Sequence, residues 1–372
     1  MGASCEFLFK LVEEFAPMYL AEQWDNPGLQ LGDPRLEVNR LLLALDVDED
    51  VYAEAVETKA KAIICHHPLF FKPVKQIRTD RPREALIAAL LRAGITVYAA
   101  HTNLDNADQG VNSELARRLG LQEIRVLRPD YQEKYLKLVV FVPLTHIDAV
   151  RSAMARAGAG WIGNYSECAF QVRGTGTFRP LEGSNPFIGK LGELERVEEI
   201  RLETILPANL SGQVVETMLK AHPYEEVAYD LYPLANEGAV LGPGRIGFIA
   251  QPVQFEQFAA RVKSVLGLTH VRCGGALDRQ IRRVAVCGGS GASMWPLALA
   301  AGAEMLVTSD VDYHTAKEIL SAGLNFIDAG HFGTERPILP VLQKYLVDRC
   351  HQIGLDMEIL ITTRQSDPFN YL

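Results

Sequence analysis

Ala62-Ile63-Ile64-Cys65-His66-His67-Pro68 is an apolar run that stops on two imidazoles and a proline. Its four apolar residues suit a strand, and Pro68 ends it, because proline cannot donate to a sheet ladder. Neutral imidazole is a common protein ligand for transition metals. Successive side chains of an extended chain point to opposite faces. His66 and His67 are therefore expected to splay apart, feeding two neighbouring ions more readily than clamping one.

Three other segments end in the same way. Ile95–Ala100 leads into His101-Thr102-Asn103-Leu104-Asp105. Met305–Thr308 leads into Ser309-Asp310, with His314 four residues on. Asn325–Gly330 leads into His331-Phe332-Gly333-Thr334-Glu335. Six of the nine histidines fall at or just past such strand ends or, for His222, near a turn. Helical stretches separate these strands. One, near Glu84–Arg92, has Pro82 as a start signal and Gly94 as a stop. Strand and helix alternating in this manner predict an α/β fold with a largely parallel sheet, and in such sheets ligands gather beyond the carboxyl ends of the strands.

Between these regions the pattern changes. Strands at 135–142, 167–172, 197–206 and 227–232 with helices at 147–157 and 210–221 give the order βαββαβ, which is ferredoxin-like. The expected organisation is a discontinuous α/β metal-binding domain, residues 1–128 and 237–372, with an α+β domain inserted at 129–236. With 372 residues, 48% of them hydrophobic, the chain can bury more than one core. A net charge of −9 and the lack of a basic patch argue against direct nucleic-acid binding or an anionic membrane surface. No apolar stretch reaches the roughly 20 residues of a membrane span. The six cysteines are widely spaced, which suits buried thiols in a reducing cytoplasm.

A dinuclear site needs several His and carboxylate ligands with one carboxylate bridging. Glu335 suits the bridge, with Thr334 as a helix cap and Pro337 in the first turn. Asp105 offers a hard oxygen ligand or serves as a turn residue. His101 is a ligand, a proton shuttle or an outer partner, the last being favoured. Asp310 and His314 could orient ligands, move protons or simply be solvated. Gly242-Pro243-Gly244-Arg245-Ile246-Gly247 matches a dinucleotide fingerprint in letters, but a strand-like run follows it where a helix is required. Cys287-Gly288-Gly289-Ser290-Gly291 is an anion cradle or a tight structural turn.

Trp24-Asp25-Asn26-Pro27-Gly28-Leu29-Gln30-Leu31-Gly32, the His-His-Pro segment, His101–Asp105, Asp310–His314 and Asp328–Glu335 together resemble the Nif-three-like dinuclear metal-centre family, the GTP cyclohydrolase I type 2 homologues. Gly174–Pro180 and His222–Glu226 resemble the inserted, PII/CutA-like domain of its longer bacterial members. The resemblance implies metal ligands at His66, His67, Asp105, His331 and Glu335, and a homohexamer. Ser309, where the family usually has Gly, and Pro27, where it usually has Val, depart from the pattern. The expected function is a cytoplasmic hydrolase, acting on an unidentified small molecule through a water activated by two divalent ions. Zinc ranks first and iron second, with manganese, cobalt or nickel also compatible. The alternative is a non-catalytic metal-binding regulator whose insert senses a small ligand.

Overall fold

A computed structural model describes residues 2–370. Residues up to Tyr131 and from Leu241 onward gather into one compact unit, and Gln132–Val240 into a second.

The first unit is a mixed α/β structure built on two sheets, where a single largely parallel one was expected. Five strands lie in the order Glu358–Ile361, Arg40–Ala44, Ala62–Cys65, Thr96–Ala99 and Gly28–Leu31. The first four are parallel and Gly28–Leu31 runs against them. Six strands form the second sheet: Arg272–Gly274, Asn325–Asp328, Met305–Thr308, Gln280–Val286, Arg245–Gln254 and Leu121–Val126. Only the three from Asn325 through Val286 are parallel. The outer antiparallel strands Arg272–Gly274 and Leu121–Val126 hide in the sequence because few of their residues are buried. Leu121–Val126, for example, buries Leu121 alone.

Each sheet is covered on both faces, so its central strands read as unbroken apolar runs and not as alternating ones. In the five-stranded sheet, Leu41, Leu43, Ile64 and Tyr98 pack toward residues of helices Cys5–Phe15 and Ile338–Gln352. Leu42, Ile63 and Val97 pack toward helices Glu49–Glu57 and Pro82–Ala93. The six-stranded sheet lies likewise between helices Val111–Arg118 and Phe255–Leu266 on one side and Trp295–Ala300 and Tyr313–Ser321 on the other. Gly94 caps Pro82–Ala93 at φ 62°, a left-handed conformation that glycine adopts without steric cost. Cys5, Cys65, Cys287 and Cys350 are buried, but Cys168 is half-buried and Cys273 exposed, so the expectation of buried thiols holds for four of six.

The second unit is a four-stranded antiparallel sheet in the order Ala169–Phe178, Glu195–Pro207, Tyr135–Pro143 and Tyr229–Pro233. Helices Ile147–Arg156 and Ser211–Ala221 cover one face, setting Val150, Met154, Val214 and Met218 against Leu138, Val140, Val142, Leu202 and Leu206. Residues 174–178, expected in a loop, extend the first of these strands.

Arg245 links the first unit's frame to the loops around its strand ends. It is 3% exposed, and its guanidinium donates to Ser113 Oγ (2.8 Å) and to the carbonyls of Gly242 (2.7 Å), Gly244 (2.8 Å) and Ala107 (2.7 Å). Burial pulls its pKa down to about 10. Arg245→Met keeps most of the stem but leaves the buried Gly242 carbonyl without a donor, while Gly244 and Ala107 still accept from Leu127 N–H and Gly110 N–H. An unsatisfied buried group costs about 1–3 kcal/mol, so unfolding stability is expected to fall by about that much. Denaturant titration checks this as a lower midpoint with an unchanged slope.

Candidate metal centre

Strand ends from both sheets of the first unit deliver histidines to one place, and each histidine is tethered through the same ring atom. His66, one residue past Cys65, donates from Nδ1 to the Ala100 carbonyl at 2.8 Å. His67 Nδ1 lies 2.8 Å from Asp46 Oδ1, His101 Nδ1 2.7 Å from Asp25 Oδ1, and His331 Nδ1 2.7 Å from Asp310 Oδ2. An acceptor at Nδ1 holds the proton there and leaves Nε2 with a free lone pair, the tautomer of a metal-ligating histidine.

Those lone pairs converge on Glu335, which is 3% exposed. His331 Nε2 is 3.0 Å and His66 Nε2 3.6 Å from Oε1, while His67 Nε2 is 3.1 Å from Oε2. Asp105 Oδ1 is 3.6 Å from His66 Nε2. His67 Nε2 and His331 Nε2 face each other at 3.3 Å, which two lone pairs tolerate only with a cation or proton to share. Ligand bonds of about 2.0–2.1 Å at tetrahedral angles put ligand atoms about 3.3 Å apart, so these spacings suit a metal shell. His66 Nε2, Asp105 Oδ1 and Glu335 Oε2 are moreover buried without a hydrogen-bond partner. Leaving polar atoms bare is costly, and a cation bound among them removes that cost. By chemistry and spacing the donor set fits divalent metal.

The electrostatics agree. Burial disfavours charge on His67, yet the adjacent carboxylates of Asp46 and Glu335 overcome it and raise its pKa to about 10. Glu335 raises His331 to about 9 against burial, with help from Asp310. His66, also opposed by burial, is raised by Glu335 and Asp105. Burial pushes Glu335 up, but the three histidines hold it well below the usual carboxylate range. Asp105 goes the other way, raised by its burial. Without metal, the cluster attracts protons as the positive charge its carboxylates require. Metal and protons therefore compete, and binding should weaken as pH falls.

Several expectations are corrected. His66 and His67 do not splay, because they lie in a bend past the strand, and their ring centroids are 4.9 Å apart. Glu335 does not open a helix. It closes the short helix His331–Glu335, and Pro337 immediately precedes Ile338–Gln352. Thr334 is no cap: its hydroxyl donates back to the carbonyls of Gly330 and His331 and accepts from Gly289 N–H at 3.0 Å. Asp310 is an orienting partner of His331. His314 stands exposed on Tyr313–Ser321 with its ring against that of Tyr313, the solvated alternative the sequence leaves open. His222 belongs to the second unit, where it contacts the Phe141 carbonyl. His101 comes closer than an outer partner need: its ring is 5.2 Å from that of His66, and the ligating atoms of His66, His67 and His101 lie within 4.8 Å of one another.

Asp46 and Asp25 received no role from the sequence. Asp46 follows the strand Arg40–Ala44 and obeys the same strand-end rule as the other site residues. Asp25 gives no such signal. Thr102 donates to it from both N–H and hydroxyl, and with His101 these bonds hold its pKa at about 2 against the upward push of burial. Asp328, which opens the Asp328–Glu335 motif without an assigned role, accepts from Val311 N–H and Gly330 N–H, fixing the turns that carry Asp310 and His331.

The glycine segment is a structural turn. Gly288 N–H donates to Asn112 Oδ1, and Ser309 Oγ donates to the Gly289 carbonyl. Gly289 has φ 61°, and a Cβ there would lie 2.2 Å from Glu335 Oε1, so the close approach needs glycine. In front of the cluster lies a cavity of about 720 Å³ that Trp24, Phe71 and Phe369 help to line.

Comparison with known proteins places this arrangement in context. The family profile of Duf34/NIF3 (NGG1p interacting factor 3) matches residues 3–368. A Halalkalibacterium halodurans protein named GTP cyclohydrolase 1 type 2 homolog is 46% identical, over 100% of this chain and 99% of its own. A Bacillus subtilis protein of the same name is 41% identical, over 98% of each. The crystal structure of a Bacillus cereus protein related to NIF3 superposes with a TM-score of 0.89 at 44% identity, covering 100% of this chain and 99% of that one.

If the Nδ1 tethers set the ligand geometry, Asp46→Asn and Asp310→Asn should each weaken divalent-metal affinity about 10–100-fold while leaving the protein folded. Titration against a competing chelator, with circular dichroism as the folding control, measures both.

Proposed function

The chain belongs to the Duf34/NIF3 family, and on that premise we propose that it is a metal-dependent hydrolase working with two divalent ions. His66, His67, Asp105 and His331 would be terminal ligands and Glu335 the bridge. The observation that carries this reading is the approach of three imidazole Nε2 atoms to the two oxygens of one buried carboxylate. Imidazole and carboxylate donors without thiolate rank zinc first and iron second. When bound, such a pair supplies Lewis acidity and lowers the pKa of a shared water.

The chain's own residues provide the rest. Asp46, Asp310 and the Ala100 carbonyl keep three imidazoles in register. His101, aligned by Asp25, is placed to accept a proton at Nε2 and pass it on. Trp24 and Phe71 offer aromatic surface beside it for a planar substrate. GTP ring opening, as the relatives' name suggests, is one candidate reaction. Phosphoester and amide hydrolysis make the same demands on these residues.

The same reading takes the protein as a cytoplasmic homohexamer, as its likeness to the family implies. No helix among the described residues is long and apolar enough to cross a membrane. The second unit's strand order and paired helices favour an inserted ferredoxin-like, PII/CutA-like domain. A regulatory protein that holds metal and senses a ligand through this insert is the second reading, favoured by a separate cavity within Gln132–Val240.

The test is metal analysis of stripped and reloaded protein, followed by assays of formate release from GTP and of phosphoester hydrolysis. The hydrolase predicts about two metals per chain and turnover that falls more than about 100-fold in Glu335→Ala together with metal content. Two metals without turnover would favour the regulator, and no stoichiometric metal would remove the centre.

A further inference from the structure

We propose that the insert carries a separate binding site for a small organic cation, an ammonium- or guanidinium-bearing molecule with a flat apolar body. This site is independent of the metal reading. A cavity of about 420 Å³ lies wholly within the second unit, in the range of small-molecule pockets. The two sequence segments that the metal centre leaves unused, Gly174–Pro180 and His222–Glu226, supply much of its wall.

Glu199, only 8% exposed, lines the cavity. Tyr224 donates its hydroxyl to Oε1 at 3.0 Å, but among the described residues no donor reaches Oε2. Gly176 makes room for that oxygen, since a Cβ there would lie 2.1 Å from it. A largely buried carboxylate with one oxygen unpaired favours a donor or positive charge arriving from the cavity that it lines.

Aromatic rings line the same cavity. Tyr224 has its ring centroid 6.0 Å from Phe178 and 6.3 Å from Phe187. His222 fixes the Tyr224 loop, accepting from Tyr224 N–H at Nδ1 and donating from Nε2 to the Phe141 carbonyl. Ring faces attract cations, most strongly where water is displaced. Charge selects the same class. Glu199, Glu225 and Glu226 line the cavity against a single cation, Arg179, whose guanidinium donates to the Gly192 carbonyl. That balance disfavours phosphates and carboxylates and draws in positive charge.

The experiment is calorimetric titration of the full-length protein with phenethylammonium and with phenylguanidinium. Neutral 2-phenylethanol and anionic phenylacetate serve as isosteres of the first. The cations are expected to bind, with the alcohol and the acid at least about 10-fold weaker. Glu199→Gln should weaken cation binding about 10–100-fold, the usual worth of a charge-assisted hydrogen bond. Glu335→Ala should leave it unchanged, which separates this site from the metal centre. Tyr224→Phe keeps the ring and should retain cation preference, giving a second variant if Glu199→Gln folds poorly. No cation binding at millimolar concentration, equal binding of the alcohol, or full affinity in Glu199→Gln would overturn the proposal.

Discussion

The hydrogen bond at Nδ1 of each clustered histidine is the constraint on which the candidate centre depends. Imidazole has two nitrogens, and which one carries the proton decides whether the ring donates or ligates. Here the Ala100 carbonyl, Asp46, Asp25 and Asp310 each occupy an Nδ1. The four Nε2 atoms are thereby committed to the interior of the cluster, and the two oxygens of Glu335 meet three of them. The second layer of carboxylates also strengthens the rings as ligands and supplies negative charge behind them.

Each tether is a property of the fold and not of the local chain. Parallel strands put their carboxyl ends on one edge, so a residue just past one strand can reach a residue just past its neighbour. His66 therefore finds Ala100 beyond the adjacent strand, and His331 finds Asp310 in the same way across the second sheet. The spacing between sheets is held by small residues and turns: Gly289 lies against Glu335, and Asp310 takes φ 55°, an uncommon conformation for a non-glycine residue, to direct its carboxylate toward His331. Ser309, whose hydroxyl donates to the Gly289 carbonyl, pins the two turns together.

Much of this was legible because the residues that matter interrupt apolar runs. Four strand ends carrying His, Asp or Glu stand out once the alternation of strand and helix is seen, and the ligand candidates follow. The limits of legibility are equally physical. Asp25 reaches His101 across 76 positions in sequence, and the Ala100 carbonyl belongs to a backbone that no residue pattern marks. The sequence pattern predicts one largely parallel sheet because the outer antiparallel strands Arg272–Gly274 and Leu121–Val126 carry few buried side chains. Thr334 and Pro337 suggest a helix start at Glu335, yet the helix begins at His331, where Gly330 at φ 74° turns the chain without any side-chain cap. Expecting His66 and His67 to splay assumed that the strand continued through them; it ends at Cys65.

Anomalous scattering at the zinc edge from crystals grown with zinc tests the central claim most directly. The account predicts two peaks about 3.5–4 Å apart, one on each side of the Glu335 carboxylate and within bonding distance of the histidine Nε2 atoms. A single peak, or density placed away from Glu335, would contradict it.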